Sequence, residues 1–211
     1  SDLHQGHNDF ALWPNMAQAI KNDLRTLHQT VGNWDVVLFT GDLVQMGMPS
    51  LFNDLNQTLQ FFWDFFEDEF VIAPFLVTVP GNHDLLWPKK INKAVQDLLN
   101  FHKDKNLQDQ FFENEKSPMR QIIREAFSTY TQWESTHTFP KLSSTRLDGL
   151  LPGEYSCVLE KNDIHLGLIG LNSALLQLVR KKDVPDPQDP DEPFLRRLAL
   201  DVRQLHAVCN G

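Results

Sequence analysis

Cysteine is scarce in this chain: Cys157 and Cys209 are the only two in 211 residues. Two thiols so far apart form neither a disulfide framework nor the paired spacing of a zinc site, and a cytoplasmic location is expected. Long apolar runs are also missing. The longest, such as Leu166 to Leu171, fall far short of the roughly 20 residues that span a bilayer, so no membrane partner is expected. Positive charge is in deficit, with a formal net charge of −9. That balance argues against an extensive nucleic-acid surface, which would be basic. Bound dications would offset part of it at the point where a phosphate binds, so nucleic acid stays among the candidate substrates. No internal repeat occurs. Hydrophobic residues at 41% and charged residues at 22% are ordinary for a globular protein of one domain.

Three short motifs stand out against this background: Asp2-Leu3-His4, Gly41-Asp42 and Gly81-Asn82-His83-Asp84. The second follows the apolar run Trp34 to Thr40 and the third follows Phe75 to Val79. Both runs read as buried strands, so the polar groups fall at strand carboxyl ends, where open α/β sheets bind ligands. A metal-ligating Asp2 needs rigid support, which leads us to expect a hydrophobic strand before Ser1. On this reading residues 1–211 are one domain truncated at both ends.

Between the motifs the pattern alternates. Residues 15–31 read as a helix with Met16, Ala19, Ile20, Leu24 and Leu27 on one face. Ser50 is the expected N-cap of a helix with Leu51, Leu55, Leu59, Phe62 and Phe66 in one stripe. Phe61, Trp63 and Phe65 widen the stripe, which predicts a helix buried on two sides. A polar insertion over about residues 85–150 carries helices near Ile91 to His102 and Met119 to Trp133. Residues 155–160 and 164–171 read as paired strands joined by Lys161-Asn162-Asp163. The proline-rich stretch 184–193 reads as an extended loop, and 198–208 as a helix with Asn210-Gly211 as its C-cap.

The residue types dictate a chemistry. Aspartate, asparagine and histidine together suit two borderline divalent metals. Two such ions can acidify a bridging water and neutralise the oxygens of a phosphate ester. Asp2 and His4 are the expected ligands of the first metal, Asp42 the bridge, and Asn82 a neutral oxygen for the second. His83 is left to face the substrate, stabilising the transition state or protonating the leaving alkoxide. Asp84 is expected to accept the other ring N–H of His83 and fix the imidazole. His28, His102 and His137 are expected to be exposed, His165 to lie on the solvent face of its strand, and His7 to sit in a loop near the first motif. His206 is not counted as a ligand.

At these three motifs, and at Gly170-Leu171-Asn172-Ser173, the sequence resembles the calcineurin-like metallophosphoesterase superfamily. The resemblance implies an α/β fold, a two-sheet sandwich flanked by helices, here with a helical insertion after the third motif. It implies manganese, iron or zinc as the pair of ions and a phosphate ester as substrate, with the ligand and acid roles just given. It also implies a further histidine and a Gly-His-x-His segment after Asn172. Neither occurs before Gly211, so activity of these 211 residues alone is not expected. The leading expectation is a phosphodiesterase or nuclease serving as the effector module of a larger protein, with further domains and an oligomer as its partners. A phosphomonoesterase of a small metabolite or phosphoprotein, and a degenerate non-catalytic assembly module, are the alternatives.

Overall fold

The computed structural model describes residues 3–7, 13–178 and 198–209. Among them are seven α-helices and two small sheets, a mixed α/β arrangement. Helix α1 (Trp13–Val31) leads to strand β1 (Val36–Phe39), helix α2 (Pro49–Phe70) and strand β2 (Phe75–Thr78). β1 and β2 pair in parallel, Val36 opposite Phe75 through Phe39 opposite Thr78. Such a pair needs a crossover, which α2 supplies. Both chains therefore leave the sheet at the same end, carrying Gly41-Asp42 and Gly81 to His83 together.

α2 forms as its stripe predicts, with one change at its start. Pro49 takes the first helical position and Met48 the N-cap, without a side-chain bond, in place of Ser50. Proline has no N–H to lose there. The helix is buried on two sides: Leu55, Leu59, Phe62, Trp63, Phe65 and Phe66 are all buried. They form one core with Leu76, Tyr130, Trp133 and Phe139. Phe61 remains at the surface under the Lys21 ammonium, 3.4 Å from the ring centre.

Two expectations of burial are corrected. β1 is half-buried with Leu38 at 52% exposure, because among the described residues it pairs on one side only. The apolar stripe of α1 is mostly open as well: Met16, Ala19, Ile20 and Leu27 are exposed, Leu24 is half-buried, and the buried residue of the helix is Ala17, which is not one of the five.

The insertion holds four helices: α3 (Lys93–Leu99), α4 (Lys105–Glu113), α5 (Pro118–Ala126) and α6 (Ser128–Thr136), with a 3-10 turn at Phe101–Lys103. Asn92, Asp104 and Ser117 cap three of them through side-chain oxygens. The two long helices expected here are thus four short ones. They share a second core of Val95, Phe101, Phe111, Ile123 and Phe127 with Leu151 and Leu175.

Strands β3 (Leu147–Asp148), β4 (Tyr155–Lys161) and β5 (Ile164–Gly170) form the antiparallel sheet. Its hairpin turns at Asn162 and Asp163, with φ of 49° and 63°, the left-handed pair a two-residue turn requires. Helix α7 (Val202–Cys209) closes the described chain; it starts four residues later than expected. Residues 184–193 and the Asn210-Gly211 cap lie outside the described residues. The two sheets meet where the Tyr155 hydroxyl accepts from the Thr78 N–H at 3.1 Å and donates to the Thr78 carbonyl at 3.0 Å. No described helix is long and apolar enough to cross a membrane.

Candidate metal centre

The first motif is sewn to the second by a short parallel ladder. His4 N–H donates to the Asp42 carbonyl at 2.9 Å, Gln5 N–H to Leu43 at 3.0 Å, and Gln45 N–H back to Gln5 at 2.9 Å. Underneath, the buried Gln5 Oε1 accepts from the Thr58 hydroxyl at 2.8 Å, which ties the ladder to α2. His4 and Asp42 both take positive φ, 49° and 52°. Left-handed backbone at non-glycine residues is uncommon and clusters at functional sites, and here it occurs at two residues joined by a main-chain hydrogen bond.

Close approach of the second and third motifs depends on glycine. A Cβ on Gly81 would lie 2.2 Å from Asp42 Oδ1 and 2.4 Å from Asp42 N. Gly41, at φ +116°, would likewise press a Cβ to 3.0 Å from the Gly81 Cα. With both side chains absent, the His83 N–H reaches Asp42 Oδ1 at 2.9 Å.

Three of the expected site residues come together. One ligand atom each from His4, Asp42 and His83 lie within 4.8 Å of one another. His4 Nε2 is 3.9 Å from Asp42 Oδ2, and the His4 and His83 rings meet edge to face at 4.6 Å. The donor set of two imidazoles and a carboxylate fits a borderline divalent ion such as manganese, iron or zinc. Asn82 sits on the same turn, half-buried, one residue before His83. Asp2 lies outside the described residues. His7 stands nearby, its ring 6.4 Å from that of His4.

The role expected of Asp84 is corrected. His83 Nδ1 meets the main-chain carbonyl of Gln45 at 3.0 Å. Asp84 is fully buried and its two oxygens accept instead from Val44 N–H at 2.9 Å and Gly81 N–H at 2.8 Å. It clamps the second motif to the third. Burial pushes its carboxyl up to about 7 against the pull of those N–H donors, and the Asp42 carboxylate adds to the rise.

Among the other histidines, His102 and His165 are exposed as expected and His165 lies 3.3 Å from Glu160. His28 is half-buried, stacked on Phe70 at 4.1 Å. His137 departs from expectation more sharply. It packs between Trp133 and Phe139, at 4.9 and 5.6 Å, and its Nδ1 is buried without a hydrogen-bond partner. Burial, with Lys141 and Arg146 nearby, lowers its pKa to about 4.

A residue that the motifs did not single out is Gln45, whose carbonyl orients His83. It stands three residues after Asp42, and nothing in a glutamine at a loop position marks it. Beside the centre opens an apolar cavity of about 820 Å³, walled by Trp13, Ile20, Leu24, Val37 and Phe66, with His4, His7, Gln45 and His83 also in its lining.

Neither the curated proteins nor the solved structures give a match to this chain. The family model for calcineurin-like phosphoesterases matches residues 1–202, nearly the whole sequence and all three motifs. The chain belongs to the calcineurin-like phosphoesterase family.

Proposed function

We propose that this chain carries the catalytic centre of a metal-dependent phosphodiesterase, with nucleic acid among its candidate substrates, as the effector module of a larger protein. Family membership implies metal-dependent phosphoester hydrolysis; the preference for diesters, a dinuclear centre and the two-sheet sandwich belong to the proposal. The observation that carries it is the convergence of His4, Asp42 and His83 beyond the carboxyl ends of two parallel strands.

In this reading Asp2 and His4 would hold one ion, Asn82 would give a neutral oxygen to a second, and Asp42 would serve both. When bound, the ions supply an acidified water and neutralise the charge of the phosphate. The chain supplies the rest. Asp42 keeps Oδ1 on the His83 N–H, so that Oδ2 is turned toward His4. His83, with Nδ1 on the Gln45 carbonyl, has Nε2 left to carry a proton to the leaving alkoxide. Asp84 holds the turn that presents it.

The test compares single-stranded DNA, bis-p-nitrophenyl phosphate and p-nitrophenyl phosphate with the protein at its native length and manganese present. Faster cleavage of the diesters than of the monoester, removed by EDTA, is the expected result. Cleavage of p-nitrophenyl phosphate alone would make the protein a monoesterase. Tight manganese binding with no cleavage of any of the three would make it an assembly module.

A further inference from the structure

Gln45 Oε1 is buried and has no hydrogen-bond partner. An orphaned amide oxygen is uncommon inside a folded chain and calls for a reason. The main chain of Gln45 is held on both sides, its N–H on the Gln5 carbonyl at 2.9 Å and its carbonyl on His83 Nδ1 at 3.0 Å. The main chain of the residue is thereby fixed beside the centre. It lines the same cavity as His4 and His83.

The chemistry of the missing partner follows from the atom. A phosphate oxygen offers only lone pairs, and an amide oxygen would repel it. A hydrogen-bond donor or a cation is the complement, and carbonyl oxygens of Asn and Gln are ordinary ligands of divalent ions. A neutral oxygen also adds a donor beside Asp42 without adding negative charge. We propose that Gln45 is a metal-binding residue, its Oε1 supplying an oxygen donor to the divalent ion held by His4 and Asp42, beside His83. This rests on reading His4 and Asp42 as metal ligands.

The experiment is a manganese titration of the 211-residue chain by calorimetry, with melting temperatures taken with and without manganese. Gln45→Met keeps the length of the side chain and removes the oxygen; Gln45→Glu keeps an oxygen. The expected result for Gln45→Met is manganese binding weaker by about tenfold or more. Its metal-free melting temperature should be no lower than that of the unaltered chain, because an unsatisfied acceptor has gone. Gln45→Glu should bind at least as tightly as the unaltered chain.

Unchanged affinity in Gln45→Met overturns the proposal. So does equal weakening in Gln45→Glu, which would make Gln45 a purely structural support of His83. Asp42→Asn separates this from failure of the centre itself. If Asp42→Asn binds manganese undiminished, or the unaltered chain binds none, the metal-centre reading falls and the proposal with it. If Asp42→Asn loses the metal and Gln45→Met does not, only the proposal about Gln45 falls.

Discussion

Asp84 joins two motifs that are 40 residues apart in sequence, through a single carboxyl between the N–H groups of Val44 and Gly81. Both bonds need an acceptor. Asparagine has nearly the same shape but only one acceptor oxygen, so in Asp84→Asn one main-chain N–H would face an NH₂ group. Leaving that N–H buried and unpaired costs about 1–3 kcal/mol. Asp84→Asn should therefore lower the unfolding free energy by about 1–3 kcal/mol, read as a lower urea midpoint with unchanged slope. A midpoint equal to that of the unaltered chain would show that the clamp does not hold the turn. The Gly-Asn-His-Asp motif marked this residue as important, and the neighbouring histidine suggested the wrong partner for it. Which acceptor a carboxylate serves depends on how two loops pack, and adjacency in sequence does not encode that.

At the scale of elements, the strands were legible wherever an apolar run stopped at a polar glycine motif, as at Phe39 to Gly41 and Val79 to Gly81. α2 was legible because its stripe repeats over 22 residues. The insertion was less so: Asn92, Asp104 and Ser117 each start a short helix, and such caps are indistinguishable from loop polar residues until the turn forms. The exposure of β1 was not legible at all, since an edge strand and a central one differ in their neighbours and not in their own residues. The bond from Thr58 to Gln5 is the sharpest case of an element serving the site, for it anchors the first motif on α2 from 53 residues away. Thr58→Val keeps the branched shape and strands the buried Gln5 oxygen. It should cost about 1–3 kcal/mol in thermal or urea unfolding, and Thr58→Ser, which keeps the hydroxyl, should cost less. Equal losses in the two variants would assign the effect to packing.

The described residues fold around two aromatic-rich cores, and His137 sits at the edge of the one beneath the site, near Trp133 and Phe139. Its polar helical setting in the sequence suggested exposure, because the ring is covered by residues of the following segment that only the fold brings over it. This burial couples one proton to global stability. The folded-state pKa, about 4, lies below the unfolded value of about 6.5, so the unfolded chain takes up the proton first. The stability tied to the neutral ring is complete above about pH 6.5 and is lost as pH falls toward about 4. Carboxylates titrate over part of the same range, so the measurement has to be a difference. His137→Phe removes the titration and keeps a ring between Trp133 and Phe139. Between about pH 7 and pH 4.5 the melting temperature of the unaltered chain should fall more than that of His137→Phe, with most of the divergence below about pH 6.5. Parallel curves would mean that His137 is protonated without cost in the folded state and is not held neutral by the core.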